Sequence, residues 1–186
     1  MSRLGWKAAF GSPDGQRRLG LDRPLVAPLP AGGLLDTGTT VSLEGWTRPQ
    51  LEVEVAIWIG RGLGAAIELA DVEFPPDDVE RILACGIYYR HVLLGPPRVQ
   101  TLAGATARVT CDGREVAVTD DLTALTGEHA WVLDAVRETA GRELLDGEVV
   151  IAGAVVPPQA ARAGERWTAD LGPLGTLAVA FAATSA

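Results

Sequence analysis

Lysine is almost missing from this chain. Of its 16 basic residues one, Lys7, is a lysine, and the rest are arginines. Two cysteines, two histidines and 5% aromatic residues complete the list of scarcities. Cys85 and Cys111 lack metal-type spacing, and so sparse a pair reads as reduced thiols rather than a disulfide framework. No apolar run reaches the roughly 20 residues of a membrane-spanning helix. The opening Met1-Ser2-Arg3-Leu4-Gly5-Trp6-Lys7 lacks the apolar core of a secretory signal, so a cytoplasmic protein is expected, without a membrane partner. A net charge of −8 argues against nucleic acid and anionic membrane surfaces as partners. No Ser-His-Asp order, phosphate-cradling glycine loop or Cys-His zinc spacing stands out.

What is present is a globular composition. The 186 residues are 47% hydrophobic and 22% charged, which fits a single domain over 1–186 with a core of its own. The most informative stretch is Leu51-Glu52-Val53-Glu54-Val55-Ala56-Ile57-Trp58-Ile59, which alternates strictly. Leu51, Val53, Val55, Ile57 and Ile59 fall on one face of a strand, and Glu52, Glu54, Ala56 and Trp58 on the other. The two carboxylates then lie about 7 Å apart along the strand. Like charges so close repel unless a cation lies between them or one is protonated. A second run, Ala65-Ala66-Ile67-Glu68-Leu69-Ala70, places Glu68 among small residues. Side by side, the two strands would converge three carboxylates on one hard cation, for which Mg²⁺ or Mn²⁺ is suited. The same alternation also describes a solvated sheet face, and spacing alone does not separate the two. Lys7 has a double reading as well. Codon bias in an Ala-, Gly- and Arg-rich chain explains why lysines are few, whereas proton exchange explains why one remains, since arginine cannot give up its proton near neutrality.

Turn residues crowd the first fifty positions around one helical piece near 16–19. Strands are expected at 51–59, 65–70, 88–94, 149–151, 166–170 and 177–181, with a hairpin of 105–110 and 115–118 about Asp112-Gly113. Pro75-Pro76-Asp77-Asp78 opens a short helix to about residue 83. The best helix is expected to start at Asp120-Asp121 and run towards Gly141. Strands outnumber helices and no βαβ rhythm appears, so the fold class is α+β, β-rich, with a mixed or mainly antiparallel sheet.

Several segments together resemble the 2-keto-4-pentenoate hydratase branch of the fumarylacetoacetate hydrolase superfamily. Gly5-Trp6-Lys7 and Leu19-Gly20-Leu21-Asp22-Arg23-Pro24 are similar to its G-[YF]-K and L-G-V-D-x-P segments. Leu51-Glu52-Val53-Glu54-Val55-Ala56 resembles its E-P-E-[IV]-A strand, and Ala66-Ile67-Glu68-Leu69-Ala70-Asp71 its A-L-E-[IV]-[VI]-D segment. Val149-Val150-Ile151-Ala152-Gly153, Pro157-Pro158, Ala163-Gly164-Glu165 and 169–175 follow its closing segments in order. The resemblance implies a β-roll with a divalent metal held by Glu52, Glu54 and Glu68, an acid/base lysine at Lys7 and an acidic partner at Asp22. It further implies a small-molecule substrate, a 2-oxo acid or other enolisable dicarbonyl compound, whose enolate the metal stabilises while lysine moves protons.

The chain also departs from that pattern. The link from Glu54 to Glu68 is short, so the family's intervening helix and lid-like segment are missing. Val72-Glu73 stand where the family has Ser-Arg, Cys85-Gly86 lie near its Asp-Asn pair, and Ala154-Val155-Val156 replace its hydroxyl-bearing residues. These losses suit a bulkier or less acidic substrate, as in secondary metabolism. Three functions compete: a metal-dependent lyase or isomerase, hydratase- or decarboxylase-like; a binding or assembly subunit that has lost catalysis; and a C–C bond hydrolase. Trp58, Asp71 and Tyr89 are the candidate substrate contacts, Trp58 equally as a core residue. His91 reads as a structural histidine and His129 as packing or surface. A homodimer is expected, because a missing helical layer leaves sheet surface to cover.

Overall fold

The fold is described from a computed structural model over residues 3–184. Thirteen strands and three α-helices follow in the order β1 Arg3–Ala9, α1 Pro13–Leu19, β2 Leu25–Pro30, β3 Leu34–Leu35, β4 Thr40–Val41, β5 Pro49–Trp58, β6 Gly62–Asp71, α2 Val79–Ala84, β7 Tyr89–Leu94, β8 Ala107–Cys111, β9 Arg114–Thr119, α3 His129–Ala140, β10 Val149–Ala154, β11 Gln159–Ala160, β12 Arg166–Asp170 and β13 Thr176–Phe181. Eight strands make one sheet in the order β2-β1-β10-β5-β6-β7-β3, with β11 also paired to β5. The other five make a second sheet, β4-β13-β12-β8-β9. Both are mixed, since β1 with β10, β3 with β7 and β4 with β13 run parallel while the other pairs are antiparallel.

The alternation read from β5 is real. Leu51, Val53, Val55 and Ile57 enter the main core, where they meet Ile67 and Leu69 of β6, Trp167 and Ala169 of β12, Val179 and Phe181 of β13, and Val132 and Val136 of α3. The opposite face is covered as well: Ala56 and Ala66 pack with Leu29, Val92, Val149 and Ile151 in a separate cluster. A sheet buried on both faces leaves no solvated side for Glu54 or Glu68. That removes the solvated-face reading of the alternation.

The short helices follow their caps. Ser12 accepts the Gly15 N–H at 3.1 Å and Pro13 sits in the first turn of α1, which ends at Gly20 with φ 66°. Asp78 caps α2 through the Arg81 N–H. The expected long helix from Asp120 is corrected: α3 begins only at His129. Asp121 instead caps a separate turn, accepting from the Thr123 N–H and hydroxyl, and Gly127 at φ 78° breaks the chain before the helix. Among the described residues no helix is long and apolar enough to cross a membrane. Cys85 and Cys111 are free thiols.

Candidate active site and metal centre

β5 and β6 form an antiparallel hairpin joined by a tight turn, with nothing inserted between Glu54 and Glu68. Its register sets Glu52 directly opposite Glu68, with Glu54 two residues along the same face opposite Ala66. One carboxylate oxygen from each of Glu52, Glu54 and Glu68 lies within 4.8 Å of the others. Glu54 and Glu68 are fully buried, and Glu52 is half-buried at the wall of a cavity.

Lys7 reaches this cluster from β1. Pairing of β1 with β10, and of β10 with β5, brings its strand to within one strand of the glutamates. The approach is close at Gly5, where an added Cβ would lie 1.8 Å from the Val149 carbonyl oxygen, so the glycine two residues before the lysine is required by contact. The Lys7 side chain is only 2% exposed. Its Nζ donates to Glu68 Oε1 and, at 2.8 Å, to the Ile87 carbonyl. On β10, a bulge between Ile151 and Ala154 turns the Gly153 N–H onto Glu54 Oε2 at 2.7 Å.

Charge does not balance within this cluster. Three carboxylates and one ammonium leave a formal −2, and among the described residues Lys7 is the cation that lowers the Glu52 and Glu54 pKa values. Burial, then repulsion from Glu68, pushes Glu52 up to about 7. Burial and repulsion from Glu68 and Glu52 raise Glu54 well above the usual carboxylate range. Burial alone would lower the Lys7 pKa, but attraction to Glu68, Glu52 and Glu54 outweighs it and the value is raised. Two buried carboxylate oxygens, Glu54 Oε1 and Glu68 Oε2, have no hydrogen-bond partner among the described residues. Orphaned buried acceptors are costly. A divalent cation among them would neutralise the −2 and satisfy both, and an all-oxygen donor set suits Mg²⁺ or Mn²⁺. The residues fit the ion.

Lys7 and Glu52 open onto a cavity of about 360 Å³ between α1, the loop before β7 and the bulge on β10. Phe10, Tyr88, Leu125 and Pro158 give it an apolar wall, while Ser12 and Thr126 contribute hydroxyls. Three residues on this wall, Phe10, Ile87 and Tyr88, have positive φ of 58°, 56° and 63°; Asp112 is the only other non-glycine residue of the kind among those described. Such strain persists only where the surrounding structure over-determines it.

The other expected residues lie elsewhere. Asp22 does not partner Lys7: its side chain is 83% exposed and is engaged by Arg23, which holds its carboxyl below the usual range. Trp58 is on the glutamate face but six residues beyond Glu52, about 20 Å along the strand. It lines a different cavity, and its Nε1–H donates to the Gly95 carbonyl at 3.0 Å. Asp71 accepts the Thr47 and Arg48 N–H groups at 2.9 and 2.8 Å, a loop tie rather than a cavity wall. The Tyr89 hydroxyl donates to the Pro30 carbonyl at 3.2 Å, and burial and Glu68 raise its pKa. His91 stacks on Trp46, as a structural histidine does, and burial lowers its pKa. His129 opens α3, and burial lowers its pKa too. Sequence reasoning missed Tyr88, the Ile87 carbonyl and the Gly153 amide, because backbone groups and residues in left-handed turns leave no side-chain signature.

No protein-family model matches the sequence. Solved structures do match the fold. 4-Oxalocrotonate decarboxylase from Pseudomonas putida, complexed with magnesium and adipate, superposes with a TM-score of 0.81 at 15% identity, over 97% of this chain and 78% of that one. Fumarylpyruvate hydrolase from Pseudomonas aeruginosa, in complex with Mn²⁺ and pyruvate, gives 0.74 at 17% identity, over 99% and 91%. 2-Hydroxyhepta-2,4-diene-1,7-dioate isomerase from Mycobacterium marinum gives 0.74 at 13% identity, over 99% and 77%. With its curled mixed sheet and few helices, the chain has the α+β fold of the fumarylacetoacetate hydrolase superfamily.

Proposed function

We propose that this chain is a divalent-metal-dependent enzyme of the lyase or isomerase type, acting on a 2-oxo acid or another enolisable dicarbonyl compound. One observation carries the reading: three carboxylates and a single lysine are gathered beside an open cavity, with an excess of negative charge that a divalent cation would balance. The matched decarboxylase, hydrolase and isomerase, two of them with Mg²⁺ or Mn²⁺, support the same chemistry.

Glu52, Glu54 and Glu68 would hold Mg²⁺ or Mn²⁺. Bound there, the ion supplies a Lewis acid for a carbonyl oxygen. The chain's own groups do the rest. Lys7 Nζ moves the proton at the carbon next to the carbonyl. Neutralising the carboxylates removes what raises its pKa and leaves burial, which lowers it towards the range where the ammonium gives up a proton. The Gly153 N–H holds Glu54 in one orientation. Phe10, Tyr88, Leu125 and Pro158 exclude water from an apolar substrate body.

Pyruvate in D₂O with Mg²⁺ is a direct probe, because enolisation replaces its methyl protons with deuterium and the ¹H signal fades. The wild-type protein should drive this exchange, and Lys7→Arg should slow it by roughly 10²–10⁴-fold with folding intact. An Arg variant as fast as wild type would take the proton-carrying role away from Lys7.

A further inference from the structure

Of the two groups that Lys7 Nζ donates to, one, Glu68, belongs to the carboxylate cluster. The other is neutral: the Ile87 carbonyl, at 2.8 Å. That carbonyl stands in an unusual piece of chain. Gly86, Ile87 and Tyr88 take φ values of 68°, 56° and 63°, three residues in succession in the left-handed region. Glycine enters it freely. A β-branched residue does not, and the conformation costs roughly 1–2 kcal/mol per L-residue. Such strain survives only where neighbours hold it in place.

The neighbours are identifiable. The Ile87 N–H donates to the Ile82 carbonyl at 2.8 Å, and the Gly86 N–H to Leu83 at 3.0 Å. The Tyr88 carbonyl accepts the Asp71 N–H at 2.9 Å, and the Tyr88 hydroxyl donates to the Phe74 carbonyl at 3.2 Å. Cys85 Sγ closes the turn: it accepts the Tyr88 N–H at 3.3 Å and donates to the Ile82 carbonyl at 3.2 Å. Around them, Ile87 and Tyr88 are buried with Leu25, Phe74 and Ile82.

The geometry points to this turn, residues 86–88, as the positioning element of Lys7. Its strained backbone aims one carbonyl at Nζ, so that the side chain is placed by a group that neither titrates nor takes the proton. The inference rests on Lys7 being the proton carrier. Glu68 serves two masters, the ammonium and the metal site, whereas the Ile87 carbonyl has one task and keeps Nζ at the cavity wall whatever Glu68 does. Cys85 acts through the turn, and through it on the lysine.

Because Lys7 is the only lysine, feeding labelled lysine gives a single side-chain ammonium signal. It can be recorded on the Mg²⁺-saturated protein at one fixed pH, for wild type, Cys85→Ser and Cys85→Ala, alongside pyruvate methyl exchange. Serine can accept and donate where the thiol does, so Cys85→Ser should keep the Lys7 signal in place and the exchange rate within about threefold of wild type. Cys85→Ala should shift the signal and lower kcat by roughly 10–100-fold, the scale of a small misplacement, with KM for pyruvate and Mg²⁺ affinity unchanged. Cys85→Ala that leaves both the signal and kcat at the wild-type values would overturn the inference. So would equal losses in both variants accompanied by weaker Mg²⁺ binding, the mark of a merely structural thiol. Should Cys85→Ala not fold, wild type still decides: a through-hydrogen-bond coupling between Lys7 ¹⁵Nζ and the Ile87 ¹³C carbonyl is expected, and its absence from a well-resolved ammonium signal would overturn the placement. A wild type inert to pyruvate that nonetheless shows the coupling would count against the enzymatic reading and leave the positioning intact.

Discussion

Along one face of β5, Glu52 and Glu54 lie at one end and Trp58 at the other, and each end borders a cavity, of about 360 and 460 Å³. The larger cavity is the quieter one. Trp58 has its single polar atom satisfied by Gly95, and no cluster of candidate metal-ligating residues among those described lies there. At the smaller cavity, Glu54 and Glu68 keep orphaned oxygens, Lys7 is buried among carboxylates, and Ile87 and Tyr88 sit in strained backbone. Volume is therefore not what singles out the proposed site. Uncompensated buried charge is, because it is costly to keep and gathers at functional sites.

The contrast can be broken first at Lys7. Lys7→Met leaves three carboxylates without a cation, and at pH 8 the metal-free protein should lose roughly 3–5 kcal/mol, a fall in Tm of about 10 °C or more. Trp58→Phe removes one hydrogen bond and some contact area, and should cost on the order of 1 kcal/mol. Thermal melts of the two variants give the comparison directly; equal losses would erase it.

A second break uses pH. Glu52 has its folded pKa raised, to about 7 from an ordinary 4.5, so its contribution favours the folded state below pH 4.5 and is lost as pH rises through 7. Glu54 is raised in the same sense. Lys7, also raised, holds its contribution until well above that window. Metal-free protein should therefore melt at lower temperature at pH 8 than at pH 5, by roughly 5–10 °C for a loss of about 3 kcal/mol. Added Mg²⁺ should flatten the dependence, since it replaces the proton as the neutralising cation. A metal-free protein more stable at pH 8 than at pH 5 would contradict this sign.

The smallest effects sharpen the map of the site. Asp22→Ala and Trp58→Phe should each leave pyruvate exchange within about twofold of wild type, since an exposed ion pair contributes little and Trp58 faces the other cavity. Asp22→Ala that cost tenfold or more would restore it as the partner of Lys7.

How much of this was legible in the sequence depends on what kind of signal each feature leaves. Period-2 alternation located β5 and β6 and the face shared by Glu52 and Glu54, and the lone lysine drew the eye to Lys7. Prolines and acids at 75–78 located α2, whereas α1 was read only near 16–19 and in fact begins at Pro13. The same rules misplaced the start of α3, because Asp121 is as good a cap for a single turn as for a helix and only Gly127, in the left-handed region, tells them apart. Trp58 was placed at the glutamates by face alone; sharing a face says nothing about the roughly 13–20 Å of strand between them. Asp22 was placed by a resemblance of segments, and its neighbour Arg23 holds it at the surface instead. The Ile87 carbonyl and the Gly153 amide were invisible, since backbone groups become functional only when a turn or a bulge aims them.

The central claim is that Glu52, Glu54 and Glu68 together hold one divalent ion. Calorimetric titration of Mn²⁺ into wild type, Glu54→Gln and Glu68→Gln tests it most directly, since each variant keeps the shape and removes one charge. The account predicts one site per chain in wild type and at least a tenfold loss of affinity in each variant. Mn²⁺ binding of the same stoichiometry and affinity in all three proteins, or no binding by wild type, would contradict it.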